Sequence, residues 1–109
     1  MRPYDLTPAA AADLRSIARH TLRQWGARQQ RRYAGQLEAC CRAIGDRTEV
    51  SRSFSDRYPH VQVVRCRHHY IFYVRPSGRT PLVIAVLHER MDLPARLKGR
   101  LDPRTPSAD

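Results

Sequence analysis

Residues 82–92 read LVIAVLHERMD, so six apolar residues run directly into His88, Glu89, Arg90, Met91 and Asp92. An imidazole, a carboxylate and a guanidinium at a strand end are the groups that metal-free phosphodiester cleavage needs. One serves as base, one as acid, and cations hold the phosphate. His88 is the candidate base, because an unperturbed imidazole titrates near neutrality. Arg65, Arg67, His69 and Tyr73 are the further candidates on neighbouring apolar segments. Side-chain alternation argues against a His88–Glu89 dyad, since successive residues of a strand point to opposite faces. His88 therefore also reads as a strand-end histidine bonded to backbone, with Arg90 and Asp92 forming a local ion pair across the turn. Tyr73 lies inside YIFYV and reads as packing. His68 and His69 are adjacent, diverge on a strand, and have no third ligand at a suitable spacing, so neither metal nor cofactor is expected. Arg65 and Arg67 share a face with Val63, opposite Val64 and Cys66, and are expected to present anion donors away from any covering helices.

Those side chains must be positioned by the rest of the chain. RPYDL at 2–6 predicts a short edge strand. Thr7 is a helix N-cap and Pro8 occupies the first helical position, where a missing N–H costs nothing. Ala10, Leu14, Ile17, Thr21 or Leu22, and Trp25 recur at helical spacing up to Gly26. Tyr33, Leu37, Cys40 or Cys41, and Ile44 mark a second amphipathic helix closed by Gly45-Asp46. Strands are predicted at 61–66, 69–75 and 82–88, with 50–54 a short strand or an extended loop. The segment 82–88 is apolar on both faces, which places it inside the sheet. The expected class is α+β: an N-terminal strand and a helical hairpin on one face of a small twisted antiparallel sheet. Leu93, Leu97 and Leu101 fall four apart and predict a C-terminal helix folded back on the sheet edge. Residues 1–101 form one domain in this reading, and 102–109 a disordered tail.

The chain has 109 residues and a formal charge of +10, with 20 basic residues of which Lys98 is the only lysine. A surface so rich in arginine suits an anionic partner, because guanidinium stays ionised and pairs bidentately with carboxylate or phosphate. Arg15, Arg19 and Arg23, each four apart, form one basic helix face. Cys40, Cys41 and Cys66 make an odd number without ligand spacing and read as small apolar thiols in a reducing cytoplasm. The N-terminal segment has no apolar signal-like core, so a cytoplasmic location without membrane contact is expected.

Five segments together resemble the ParE branch of the RelE/ParE toxin superfamily: YDLTPAAAADL at 4–14, Trp25-Gly26, RRYAGQLEACCRAI at 31–44, HYIFYV at 69–74 and VLHERMD at 86–92. They run in the family's order from residue 4 to about 97, with Arg67-His68 standing where a glycine is usual. The resemblance implies the fold just read and a ParD-like antitoxin that wraps and neutralises the toxin in a hetero-oligomer. It also implies inhibition of DNA gyrase, or, as in the RelE branch, ribosome-dependent mRNA cleavage, with operator DNA touched only through the antitoxin. For the gyrase reading the expected target contacts are Arg65, Arg67, His69, His88, Arg90 and Leu97, and the antitoxin dock is Arg15, Arg19 and Arg23. The alternative mRNA endonuclease would use His88 with Arg65, Arg67 and Tyr73. Because the acid–base pair is missing, gyrase binding without bond-making is the expected activity.

Overall fold

The six-residue apolar run makes β5 (Leu82–His88) the strand that both faces of the sheet are built on. In a computed structural model describing residues 3–48 and 51–101, the sheet also contains β1 (Asp5–Leu6), β2 (Arg52–Ser55), β3 (Tyr58–Cys66) and β4 (His69–Val74). The strand order is β1-β5-β4-β3-β2. The β2–β3, β3–β4 and β4–β5 pairs are antiparallel. The N-terminal edge strand expected from the sequence joins this antiparallel ladder at one edge, where β1 pairs parallel to β5. The helical hairpin and three antiparallel strands separate those two in sequence, and the hairpin carries the chain from the β1 edge to β2 at the far edge, so that β5 returns beside β1 in the same direction. Strand β3 begins at Tyr58, earlier than 61. Pro59 is tolerated there because it lies where the register with edge strand β2 shifts.

Helices α1 (Pro8–Trp25) and α2 (Ala27–Gly45) cover one face. As expected, Pro8 opens α1 and the Thr7 hydroxyl accepts from the Ala10 N–H at 3.1 Å. Gly26 joins the helices with φ 88°, a left-handed value that costs glycine little. Ala10, Leu14, Ile17, Leu37, Cys41 and Ile44 pack on Val64, Cys66, Ile71, Tyr73, Val83 and Val86. The apolar stripe of α1 ends at Thr21. Leu22 and Trp25, read from the sequence as part of it, are 49% and 72% exposed and lie off the buried face. At the other end of the hairpin, Gly45 lies so close to the Pro3 carbonyl that a Cβ would collide with it.

The opposite face is covered by α3 (Leu93–Leu101), which corrects its expected position on the edge. Asp92 does not pair with Arg90; its carboxylate caps α3 by accepting the Ala95 N–H at 3.2 Å. Leu93, Leu97 and Leu101 pack on Val61, Val63, Phe72, Ile84, Ala85 and Leu87. A bulge makes this possible: β4 pairs Phe72 with Ala85 and then Tyr73 with Val83, leaving Ile84 as the extra residue. Ile84 and Ala85 both belong to the α3 side. Leu97 is 0% exposed, so it cannot be the target contact its stripe suggested.

Where β1 ends, the outer edge of β5 is closed by side chains. Asp13 of α1 accepts the Val86 N–H at 2.9 Å. Arg100 of α3 donates to the Ile84 carbonyl at 2.8 Å and grips Asp13 bidentately at 2.8 and 2.7 Å. Alanine at either position leaves a half-buried charge and an edge polar group without a partner. Each single variant is expected to lose roughly 2–4 kcal/mol. The double variant should lose less than the sum, read from denaturant unfolding as a coupling of about 1–3 kcal/mol.

His69, expected on the open face, is 7% exposed and points into the helical hairpin. The Tyr33 hydroxyl donates to its Nδ1 at 2.7 Å, and its ring meets His88 edge-on at 5.0 Å. Burial, reinforced by the neighbouring His88 and His68, lowers its pKa to about 4. The unfolded chain therefore takes up this proton first as pH falls. Its contribution is complete above about pH 6.5 and is lost as pH falls towards 4, up to about 3 kcal/mol. His69→Gln should flatten the unfolding free energy between pH 6.5 and 4.5, before carboxylates dominate; an unchanged slope would refute this origin.

Candidate functional site

The end of the sheet beyond α3 carries the polar cluster, and the β3–β4 hairpin builds it. Cys66 pairs with His69, leaving Arg67 and His68 as a two-residue loop. Arg67 has φ 59°, the left-handed value that a first loop position of this kind requires and that glycine usually supplies. The loop lacks glycine, yet the hairpin forms, because ladder pairing and the Tyr33 hydroxyl hold it. Tyr33 of α2 accepts the His68 N–H at 3.2 Å while donating to His69. Burial raises the pKa of this hydroxyl, which keeps it a donor. His68 is thereby carried to the end of β5, where its carbonyl accepts the Glu89 N–H at 2.9 Å.

Glu89 is the hub of the cluster. One carboxylate oxygen accepts from Arg65 Nη2, and the other lies 3.0 Å from His68 Nδ1. The His68 hydrogen bond, aided by the Arg65 charge, holds the Glu89 carboxyl below the usual range. Arg65 is further engaged by the Arg67 carbonyl at 3.1 Å and the Tyr70 hydroxyl at 3.4 Å, with its guanidinium 5.6 Å from the Tyr70 ring centroid. As alternation requires, Arg65 and Tyr70 share the sheet face that carries Val63 and Phe72, away from the helical hairpin. Ser51, Arg52, Val63, Arg65 and Tyr70 border a shallow depression beside it.

The other expected site residues are distributed differently. His88 lies half-buried beside His69, and its Nδ1 accepts the Arg90 N–H at 3.1 Å. That bond makes it a backbone-bonded histidine that fixes the turn. Arg67 and Arg90 are exposed at the same end of the sheet. Tyr73 is buried, donates to the Ser51 hydroxyl at 2.7 Å, and lies under Arg75, away from the cluster. His68, Glu89 and Tyr70 are the residues that sequence reasoning did not bring together. The available signal was the loop length: a two-residue turn at 67–68 sets His68 opposite the end of β5.

Arg15, Arg19 and Arg23 are exposed on α1, as are Arg28, Arg31 and Arg32 on α2. No carboxylate occurs between Asp13 and Glu38, so the part of the hairpin around its Gly26 turn is basic, and the exposed Glu38 further along α2 pairs with Arg42. Between the two helices and β1 lies a cleft of about 260 Å³ lined in part by Tyr4, Leu14, Ala18, Ala34, Leu37 and Cys41. The reading of three free thiols is corrected here. Cys40 of α2 and Cys66 of β3 form a disulfide with Cα atoms 6.3 Å apart, and only Cys41 is free. Among the described residues no helix is long and apolar enough to cross a membrane.

Comparison with known proteins agrees with this architecture. Residues 4–93 match the family model for the ParE toxin of the type II toxin–antitoxin system parDE. The chain is 45% identical over 101 residues to Toxin ParE of Escherichia coli, covering 93% of this chain and 98% of that protein. It is 30% identical over 97 residues to Toxin ParE1 of Caulobacter vibrioides, covering 89% and 99% respectively. A solved structure described as a chromosomal ParDE TA system from P. aeruginosa superposes with a TM-score of 0.66 at 17% identity. That overlap takes in 78% of this chain and 92% of the other, and it concerns the fold. A matching family model over most of the length, with a close relative over nearly all of it, means that the chain belongs to the ParE toxin family of type II toxin–antitoxin systems.

Proposed function

We propose that this ParE-family toxin inhibits DNA gyrase by binding it, without bond-making chemistry of its own, and that a ParD-like antitoxin neutralises it. The observation that carries this reading is the commitment of Arg65. Its guanidinium is spent on Glu89, Tyr70 and the Arg67 carbonyl, and the carboxylate beside it would repel a phosphate rather than hold one. Such a pre-ordered network suits recognition of a macromolecular surface. Arg65, Arg67, Arg90 and the half-buried His88 are the contacts proposed for the target. His69 and Leu97 no longer are.

A second reading has one specific observation in its favour. Glu89 orients His68 through Nδ1 and so leaves the opposite ring nitrogen pointing away from the carboxylate, an arrangement that suits a general base. If the chain is an mRNA endonuclease, His68 takes the role first considered for His88. The two readings separate in one experiment with toxin freed from its antitoxin. Under the gyrase reading, wild-type protein blocks supercoiling, Arg65→Ala or Arg67→Ala weakens it roughly tenfold, and His68→Ala leaves translated mRNA as intact as wild type does. Codon-positioned cuts that disappear in His68→Ala, with supercoiling untouched, would replace it by the second reading.

The antitoxin is proposed to dock on the helical hairpin, where Arg15, Arg19 and Arg23 face solvent and would attract an acidic partner. Operator DNA is then reached through the antitoxin. Reversing all three to glutamate should slow association about tenfold or more at low salt, with a smaller change in dissociation. Stopped-flow binding across ionic strengths reads both rates. A salt-independent association rate in the wild type would exclude this dock.

A further inference from the structure

The Cys40–Cys66 bond joins α2 to the last residue of β3, one position before the loop that carries His68. We propose that Cys40–Cys66 is a reversible thiol–disulfide exchange site for low-molecular-weight thiols, and that its redox state sets the order of the Arg67–His68 turn. This goes beyond the function proposed above and does not depend on it.

The geometry assigns the two sulfurs different roles. Cys66 is 3% exposed and lies beneath α2 on the sheet, whereas Cys40 is only half-buried on the helix. An attacking thiolate must approach along the S–S axis, opposite the leaving sulfur. Cys40, the less buried of the two, is therefore the sulfur that is attacked. The thiolate forms a mixed disulfide there, and Cys66 leaves as a thiolate that takes up a proton. A second thiolate then displaces Cys40, so two molecules of thiol become one small disulfide and the protein gains two thiols. Oxidation by a small disulfide such as that of glutathione is the reverse. Once protonated, the Cys66 thiol has an acceptor in place, since its Sγ lies 3.5 Å from the Gln36 carbonyl. Neighbouring Cys41 does not compete. It is 1% exposed, and burial keeps it a thiol with its pKa pushed up to about 11.

Breaking the bond acts on a strained position. Arg67, with φ 59°, directly follows Cys66, and without the covalent tie the Tyr33 hydroxyl is what remains to hold the turn against α2. The Glu89–His68 contact depends on that turn, so the reduced protein keeps its fold while the end of the polar cluster loosens.

The full-length protein is equilibrated with reduced and oxidised glutathione at a series of ratios, and its free thiols are counted by alkylation and mass. Backbone order parameters of residues 66–69 are measured in the two end states. The expected result is a two-electron transition confined to Cys40 and Cys66, with Cys41 alkylated only after unfolding. Order parameters at Arg67 and His68 should fall from about 0.85 to below about 0.6 on reduction, while β4 and β5 stay rigid. Because both states are made from the wild-type chain, no substitution can confuse the comparison. The proposal is overturned if no disulfide forms at any ratio, if Cys41 takes part, or if the turn is equally ordered in both states. Unfolding of the whole chain on reduction would equally overturn it, since the bond would then be a staple.

Discussion

Asp13 and Arg100 close a gap that the sequence order of this fold creates. Strand β1 is only two residues long, so β5 loses its neighbour at the point where its bulge turns the Ile84 carbonyl and the Val86 N–H outward. An open strand edge of that kind invites pairing with another chain. Here one carboxylate and one guanidinium satisfy both backbone groups and each other. They come from helices on opposite faces of the sheet, so the same contact sets α1 and α3 relative to β5. The bulge that calls for this closure is also what turns both Ile84 and Ala85 towards α3. Burial of the leucine stripe and closure of the edge are consequences of one irregularity.

The direction of β5 beyond that point decides where the polar cluster lies. Its last residue, His88, is drawn inward to the hairpin face beside His69, and Glu89 is sent to the other side. The carboxylate meets Arg65 from β3 and His68 from the turn, 24 and 21 residues earlier in the chain. Such a cluster has two opposite physical consequences. It orders the guanidinium and aromatic ring as a rigid surface, which favours recognition. It also spends the positive charge that a phosphate would need, which disfavours phosphodiester chemistry. The surrounding arginines, Arg67 and Arg90, keep the region basic at longer range, and that longer-range field is what would draw an anionic or acidic partner near.

The helical hairpin is held to this end of the sheet by two unlike ties: the Tyr33 hydroxyl, shared between His68 and the buried imidazole of His69, and a disulfide. Both link α2 to the β3–β4 hairpin. The outer face of the hairpin carries arginines, with no carboxylate between Asp13 and Glu38, whereas its inner face is apolar. The protein thus offers two separate basic surfaces, one on the helices and one at the sheet end, joined through Tyr33.

Much of this could be read from the chain alone. Periodicity placed both helices, Thr7 and Gly26 marked their ends, and the doubly apolar run at 82–88 predicted an interior strand, because local backbone preference and burial act on neighbouring residues. Alternation along β3 correctly set Arg65 opposite Cys66. The tail at 102–109 lies outside the described residues, as does Val50 at the start of the expected short strand. What the sequence could not express were facts that arise between distant segments. Parallel pairing of β1 follows from the crossover, and the burial of His69 and Leu97 from which face each helix covers. The pairing of Cys40 with Cys66, and of Glu89 with His68, depends on a register fixed by a two-residue loop without glycine. Residue type and spacing determine what a segment can form, whereas partners far along the chain are chosen by the packing of faces, and only the tertiary structure makes that choice.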